Sequence, residues 1–147
     1  MRTTRARRAS VALVLAALGL LTGCGAAGVS IEDPSPSASP APPVVLPVDG
    51  VSLAALGLTH GPVGRVFVPR SVQVSARVDQ ENNVTLVLTS PSAADLAAYL
   101  RRTLPLNGFA ITADDPAVAT LTFAGFGWAG TFTGSPRASA LLLRPAG

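Results

Sequence analysis

Alternating apolar and polar residues predict a β-hairpin in the middle of the chain. Apolar side chains occupy every second position in residues 72–78 and again in residues 84–88. This period of two is typical of strands that bury one face. Residues 79–83, Asp-Gln-Glu-Asn-Asn, are entirely polar and predict a five-residue loop between the two strands.

A single helix is predicted after the hairpin. Ser92 and Asp95 have the spacing of a capping box, directly after Pro91. Three leucines then recur at every fourth position, Leu96, Leu100 and Leu104. This spacing places them on one helical face, which we expect to be buried. Pro105, followed by Asn107-Gly108, predicts the end of the helix.

Four more strands are predicted between Phe109 and the C-terminus. Threonines alternate with apolar residues in residues 120–123 and 128–133, and residues 138–143 form a last apolar run. The predicted element order is β-β-α-β-β-β-β. It indicates an α+β fold in which one helix packs on one face of an antiparallel sheet of about six strands. Before the hairpin, the apolar residues 51–58 predict a short helix or an edge segment.

The first 23 residues have the pattern of a signal peptide. Residues 1–10 contain four arginines and no acid, and residues 11–21 contain neither a charge nor a hydroxyl group. Eleven apolar residues are too few to cross a bilayer as a helix, which takes about 20. We therefore expect an export signal and no permanent membrane span in this segment.

The end of this segment, Leu21-Thr22-Gly23-Cys24, resembles the lipobox of bacterial lipoproteins. The resemblance implies that the Cys24 sulfur carries a diacylglycerol and that a signal peptidase cuts between Gly23 and Cys24. It also implies that an acyl chain such as palmitate can be added to the new amino group. The alternative is an ordinary secretory signal that is cut within residues 25–27. General secretion is favoured over twin-arginine export, because the pair Arg7-Arg8 lacks a hydrophobic continuation.

Residues 24–50 predict a tether between the lipidated cysteine and a domain of residues 51–147. Six prolines are interleaved with serine and alanine in this stretch, Pro34, Pro36, Pro40, Pro42, Pro43 and Pro47. Proline favours the extended polyproline II conformation, so we expect a semi-rigid spacer. A proline-rich ligand for a peptide-binding module is the functional alternative.

Composition narrows the possible chemistry. The chain has one cysteine and one histidine, which excludes an intramolecular disulfide and a histidine-cluster metal site. From Cys24 onward there are seven arginines and eight acids, so the mature chain offers no positive surface for nucleic acid. We expect no metal, and no cofactor other than the lipid on Cys24.

Few residues are candidates for catalysis. His60 lies between threonine and glycine, where a solvated turn is expected, and Asp114-Asp115 before Pro116 are typical of a turn. No serine lies in a Gly-x-Ser-x-Gly motif. These patterns predict that the protein is not an enzyme.

The aromatic segment of residues 123–132 contains the only tryptophan and three of the five phenylalanines. Glycines beside aromatic rings are compatible with a binding surface for a glycan or lipid, which makes Phe126 and Trp128 candidate binding residues. The alternative places Phe123, Trp128 and Phe132 in the core beneath the helix and the glycines in a hairpin turn. The period-two spacing favours this alternative.

The sequence therefore predicts a lipid-anchored module on the extracytoplasmic face of the cell membrane. It would bind an envelope protein, a glycan or a lipid without catalysis. A carrier that holds an apolar ligand between helix and sheet is the alternative, and a hydrolase is the third. Residues 99–109, with Leu104-Pro105 and Gly108-Phe109, are similar to small uncharacterised lipoproteins and secreted proteins of high-GC bacteria, a resemblance that implies no activity.

Overall fold

The computed structural model describes residues 40–147. The predicted signal peptide, the cleavage site at Gly23, the lipidation site at Cys24 and residues 25–39 of the tether lie outside the described residues.

Within residues 40–147 the chain forms eight strands, one α-helix and one short 3₁₀ helix. In chain order they are β1 (Gly50–Ser52), β2 (Phe67–Pro69), β3 (Gln73–Gln80), β4 (Asn83–Ser90), α1 (Ala93–Leu106), β5 (Ala110–Asp115), the 3₁₀ helix (Pro116–Val118), β6 (Thr120–Gly125), β7 (Trp128–Gly134) and β8 (Ser139–Pro145). Six strands form an antiparallel sheet in the order β3-β4-β8-β7-β6-β5, and β1 pairs with β2 in a separate sheet. The predicted α+β fold with one helix on an antiparallel sheet is confirmed.

The helix begins as its sequence predicts and ends slightly later. The Ser92 hydroxyl oxygen accepts a hydrogen bond from the Asp95 backbone N–H at 3.2 Å, which satisfies a donor in the first turn. The helix continues through Pro105 to Leu106, because proline in the last turn removes only one intrahelical hydrogen bond. Asn107 is the C-cap, and Gly108 follows in the left-handed region with φ of +87°.

One face of the six-stranded sheet forms the core. Its buried side chains come from the four central strands, Val84, Leu86, Leu88, Leu121, Phe123, Phe132, Leu141 and Leu143. Helix α1 covers this face with Leu96, Leu100 and Leu104. The connection between β1 and β2 supplies four more buried side chains, Leu53, Leu58, Val63 and Val66. The core therefore has two covering layers, the helix and the β1–β2 connection.

Residues 51–58 do not form a helix. The strand β1 occupies their beginning, and turns follow up to Gly57. Leu53 N donates to Val66 O at 3.0 Å and Ala54 N donates to Val63 O at 3.0 Å. These bonds hold the β1–β2 connection closed over the core, so tertiary packing decides the local structure here.

The predicted hairpin is present, but its loop is shorter than expected. Gln80 pairs with Asn83, so only two residues, Glu81 and Asn82, connect β3 to β4. The register shifts near Ser75, which moves Ala76 and Val78 to the face away from the core. Arg77 and Asp79 consequently point to the core side, where they contact the β1–β2 connection.

Candidate functional site

The second face of the six-stranded sheet, here called the open face, has no buried side chain. Cross-strand pairing defines two rows through the centre of this face. One row is Val78, Thr85, Leu142, Thr131 and Thr122, and the other is Ala76, Val87, Ala140, Thr133 and Thr120. All ten side chains are half-buried or exposed, whereas most of their neighbours along each strand are fully buried on the core face. No helix or strand of the described residues packs on these rows.

The chemistry of the open face is uniform. Its two central rows combine threonine hydroxyl groups with alanine, valine and leucine, and they contain no aromatic ring and no charge. At the β5 side, the hydroxyl groups of Thr112 and Thr122 are hydrogen-bonded at 2.9 Å. Short and β-branched side chains make the surface flat, and threonine lets it exchange hydrogen bonds with water or with a partner. The two central rows of the open face therefore combine apolar area with hydroxyl groups and contain no ionisable side chain.

Phe126, a predicted candidate, lies at the tip of the β6–β7 hairpin. Gly125 pairs with Trp128, so Phe126 and Gly127 form a two-residue turn in which both have positive φ, +56° and +74°. The Phe126 ring is 38% exposed and packs edge-to-face on Phe109, with ring centroids 5.2 Å apart. The Arg65 guanidinium lies 4.5 Å from the ring centroid, within the range of a cation–π interaction.

Trp128, the second candidate, is half-buried at the rim of the core. Its indole lies on the backbone of Gly61, where an added Cβ would be 3.1 Å from the ring. The alternative that the sequence favours places Phe123, Phe132 and Trp128 in the core. Phe123 and Phe132 are indeed fully buried there, whereas Trp128 packs on the β1–β2 connection instead of being buried beneath the helix.

The sequence predicts that all the glycines of the aromatic segment lie in a hairpin turn, but only one of them does. Gly127 does lie in the hairpin turn. Gly125 and Gly130 lie within strands, where a Cβ would overlap the rings of Phe109 and Phe123 respectively. These two glycines make room for core side chains, so they do not indicate a ligand.

Residues 40–49 contact the domain and are here called the strap. Arg65 Nη1 donates to the carbonyl oxygen of Pro42 at 2.7 Å, and Val45 N donates to Asn107 Oδ1 at 2.9 Å. Arg102 forms an ion pair of 2.9 Å with Asp49. Contacts with the domain therefore begin within the strap, ahead of residue 51, at which the sequence predicts the start of the domain.

His60 has an acidic partner that its sequence context does not reveal. Its Nδ1 lies 3.0 Å from Asp79 Oδ1, and Asp79 also accepts hydrogen bonds from the Thr59 hydroxyl and from the backbone N–H groups of both residues. Partial burial raises the pKa of Asp79, but the hydrogen bonds from Thr59 and His60 outweigh it and hold that pKa at about 2, below the ordinary 3.8. Thr59 Oγ1 lies 3.2 Å from the same imidazole nitrogen as Asp79 and donates to Asp79 Oδ2 at 2.8 Å. The His60–Asp79 pair thus links the β1–β2 connection to β3.

The two adjacent aspartates Asp114 and Asp115 have separate roles. Asp115 Oδ1 accepts from Ala117 N at 3.0 Å and caps the 3₁₀ helix, which is the expected turn role. Asp114 instead binds the Arg101 guanidinium of helix α1 through both oxygens, at 2.7–2.9 Å. Hydrogen bonds from Arg101 lower the pKa of Asp114 below its ordinary value. These carboxylates are structural and do not form a catalytic pair.

A cleft of about 490 Å³ lies between the start of α1 and the 3₁₀ helix. Its lining includes Ala93, Val118 and Pro136, and it opens to solvent at the molecular surface. Among residues 40–147, no group of three or more histidine, cysteine or acidic side chains is arranged to bind a metal ion. The described part of the chain also contains no helix with the length and hydrophobicity of a membrane span.

Comparison of the chain with protein families, curated proteins and solved structures found no match. A proposal for the function therefore depends on the sequence and on the geometry of the surfaces described above. The open face was missed at the sequence level, although the alternation of Thr120, Thr122, Thr131 and Thr133 with apolar residues marks two of its strands, β6 and β7. Nothing in the local sequence marks the contacts of the strap, because each joins residues at least 20 positions apart.

Proposed function

We propose that this chain is a lipid-anchored lipoprotein on the extracytoplasmic face of the cell membrane, and that its domain binds another protein of the cell envelope without catalysis. The anchor is supported by the lipobox-like residues Leu21-Thr22-Gly23-Cys24 and the signal-peptide pattern before them. Two or more acyl chains on one cysteine are sufficient for stable membrane attachment, whereas a single myristoyl chain binds only marginally.

The observation that carries the binding function is the contrast between the two faces of the sheet. The core face is covered by α1 and the β1–β2 connection, while the open face is bare across the width of the sheet. Leu142, Val87 and Val78 lie on it among threonines and alanines, so it offers apolar area without steric obstruction. Covering such a face removes apolar surface from water, which is the main driving force for association.

A protein surface fits the open face better than a glycan does. Flat aromatic rings are the usual platform for sugars, and the aromatic side chains of the sheet lie on its core face or at the hairpin tip, as Phe123, Phe132 and Phe126 show. Rows of valine, leucine, alanine and threonine can interdigitate with a second sheet at a separation of about 10 Å. We therefore assign a protein partner to this face.

The packing of the interior favours a binding module over a carrier. Leu100, Phe123 and Phe132 lie between the helix and the sheet, and each is at most 1% exposed. The space in which an apolar ligand would be held is thus filled by side chains, and the cleft beside α1 is open to solvent.

Site-specific photo-crosslinking tests the proposed function in cells that make the protein. A photoreactive residue in place of Thr131, at the centre of the open face, should give a discrete protein adduct. The same residue in place of Ala98, exposed on the outer side of α1, is the matched control and should not give that adduct. Ala140→Glu, in the row next to Thr131, should abolish the adduct without lowering the thermal midpoint.

Three results would contradict the proposal. The first is that Thr131 and Ala98 give the same adducts, which would mean that the open face has no specific partner. The second is that Ala140→Glu leaves the Thr131 adduct unchanged. The third is an adduct of Thr131 with glycan material in place of protein.

A further inference from the structure

The exposed apolar side chains of the domain are concentrated at the strap. Nine large apolar residues in the described part of the chain are exposed, and four of them lie in the strap, Val44, Val45, Leu46 and Val48. Two more lie near it: Phe126 and Pro42 flank the same side of Gly108, and Leu106 directly precedes Asn107, which binds Val45. Leu46 and Val48 are the most exposed, at 75% and 94%. A contiguous exposed apolar patch is a sign of contact with another protein or with a membrane.

The strap is held in place while it exposes these side chains. Fully buried Asn107 accepts from Val45 N at 2.9 Å, and its side-chain N–H₂ donates to the Thr103 carbonyl at 3.0 Å. Arg65 Nη1 holds the Pro42 carbonyl, and Arg70 Nε donates to the Val48 carbonyl at 3.3 Å. The exposure of Leu46 and Val48 is thus a property of a fixed segment.

Positive charge surrounds the same segment. Arg65, Arg70 and Arg102 all contact the strap, and Arg102 forms an ion pair with Asp49, the one acid of residues 40–49. Guanidinium groups bind phosphate through paired hydrogen bonds. Aliphatic side chains flanked by arginines have the composition of a surface that contacts anionic lipid headgroups.

The backbone of the strap is also suited to a position at the lipid surface. A free N–H group is costly to move out of water, because it loses its hydrogen bonds there. Four of the ten residues in the strap are proline and carry no N–H, and the N–H of Val45 is already bound to Asn107. Half of the ten positions therefore bring no unbound N–H group to the lipid surface, and the N–H groups of the others can keep water as a partner in the hydrated headgroup region.

Only residues 25–39 separate the strap from Cys24, so the proposed lipid anchor would hold the strap near a membrane. Sixteen positions separate Cys24 from Pro40, and an extended chain spans at most about 3.6 Å per residue, which limits the separation to about 60 Å. Short tethers of this kind give effective concentrations of about a millimolar, so even a weak contact with the bilayer is populated.

We propose that the strap lies against the membrane surface, with Leu46 and Val48 in the headgroup region and Arg65, Arg70 and Arg102 against lipid phosphates. This rests on the proposed lipid anchor at Cys24. The strap contacts α1 and the β1–β2 layer, which cover the core face of the sheet. Contact through this side turns the open face away from the bilayer, where a partner protein can reach it.

Depth-dependent fluorescence quenching tests the inference on the lipidated protein in vesicles of phosphatidylcholine and phosphatidylglycerol. A polarity-sensitive fluorophore is attached to Leu46→Cys, and the native Cys24 does not interfere because its thiol carries the lipid. Val78→Cys on the open face, exposed to 39%, is the matched control. We expect quenching by spin-labelled lipid to be roughly twofold or more stronger at position 46, because an interfacial surface is buried about 5–10 Å into the headgroup region.

Two results would overturn the inference. Equal quenching at positions 46 and 78 would mean that the domain has no preferred orientation. Protection of position 46 from aqueous iodide without quenching by spin-labelled lipid would mean that a protein or a second copy covers the patch. Mass spectrometry of the same sample separates the two proposals: a chain without lipid on Cys24 refutes the anchor, whereas a lipidated chain without quenching refutes only the membrane contact.

Discussion

The phenyl ring of Phe123 lies over the backbone of Gly130, its direct cross-strand neighbour in the sheet. Both residues are buried, and a Cβ on Gly130 would overlap the ring. Phe123 also packs edge-to-face on Phe109, with ring centroids 5.5 Å apart, so it has close neighbours on both sides. The glycine of β7 is therefore required by the aromatic residue of β6.

Gly130→Ala is expected to lower the free energy of unfolding by about 1–3 kcal/mol, the usual cost of overpacking a core. Urea unfolding of wild type and variant measures the difference. Gly64→Ala is the matched control, since a Cβ at Gly64 meets no atom within 4 Å, and it should leave stability unchanged or slightly raised. A Gly130→Ala variant as stable as wild type would show that the ring of Phe123 can relocate.

Trp128→Ala is expected to cost about 1–3 kcal/mol, less than the 3–5 kcal/mol typical of a fully buried aromatic residue. The reason is that the indole is half-buried and packs on Gly61 at the rim of the core. Phe132→Ala, at a position with 0% exposure, provides the fully buried reference and should cost more. A change within about 0.5 kcal/mol for Trp128→Ala would instead place the indole on an exposed surface.

The parts of the fold that follow local rules are predictable from the sequence. The alternation in β4, the Ser92–Asp95 capping box and the leucines of α1 define their elements because the deciding interactions lie within a few residues. The register of β3 is not predictable in this way, since the irregularity near Ser75 reverses which side chains face the core. The partner of His60 was missed because the sequence places Asp79 first in a five-residue loop, whereas the actual turn has only two residues and leaves Asp79 within β3.

The candidate surfaces were predictable only in part. The exposed position of Phe126 at a hairpin tip follows from a local feature, the turn at Phe126-Gly127, whereas its predicted binding role stays a prediction. The strap contacts depend on Arg65 and Asn107, which lie 23 and 62 positions from the residues they bind. Long-range contacts of this kind leave no periodic pattern in a single sequence.

Cys24→Ala is expected to prevent both lipidation and cleavage after Gly23. In the proposed lipoprotein the Cys24 thiolate is the nucleophile that accepts the lipid, and alanine has no group to replace it. Mass spectrometry of the wild-type mature protein should show diacylglycerol on an N-terminal cysteine, and the variant should keep its signal segment. A mature wild-type chain that begins unmodified at Ala26 or later would refute the anchor.

Tyr99→Phe is expected to leave stability unchanged or to raise it by up to about 1 kcal/mol, because an unpaired buried polar group costs free energy. The Tyr99 hydroxyl is buried and has no hydrogen-bond partner within residues 40–147, and burial raises its pKa. The hydroxyl lies where a Cβ of Gly50 would be, so Gly50→Ala should be destabilising. The combination of Gly50→Ala with Tyr99→Phe should cost less than Gly50→Ala alone, as measured by thermal unfolding. Equal losses would show that the hydroxyl is not the obstacle.

The hydrogen bonds of Asp79 give the fold a dependence on pH in the acid range. The pKa of Asp79 is about 2 in the folded chain and 3.8 for the ordinary carboxyl group. A carboxyl group whose pKa is lowered by folding stabilises the fold above its unfolded pKa, and this contribution is lost as the pH falls through the folded value. The thermal midpoint should therefore drop between about pH 4 and pH 2.

Asp79→Asn keeps the size of the side chain but cannot ionise, so it should lower the midpoint at pH 7 and flatten the decline below pH 4. Glu81→Gln, in the exposed turn beside it, is the control and should leave the decline unchanged. If Asp79→Asn and wild type lose stability in parallel between pH 4 and pH 2, the bonds of Thr59 and His60 to Asp79 do not favour its ionised form.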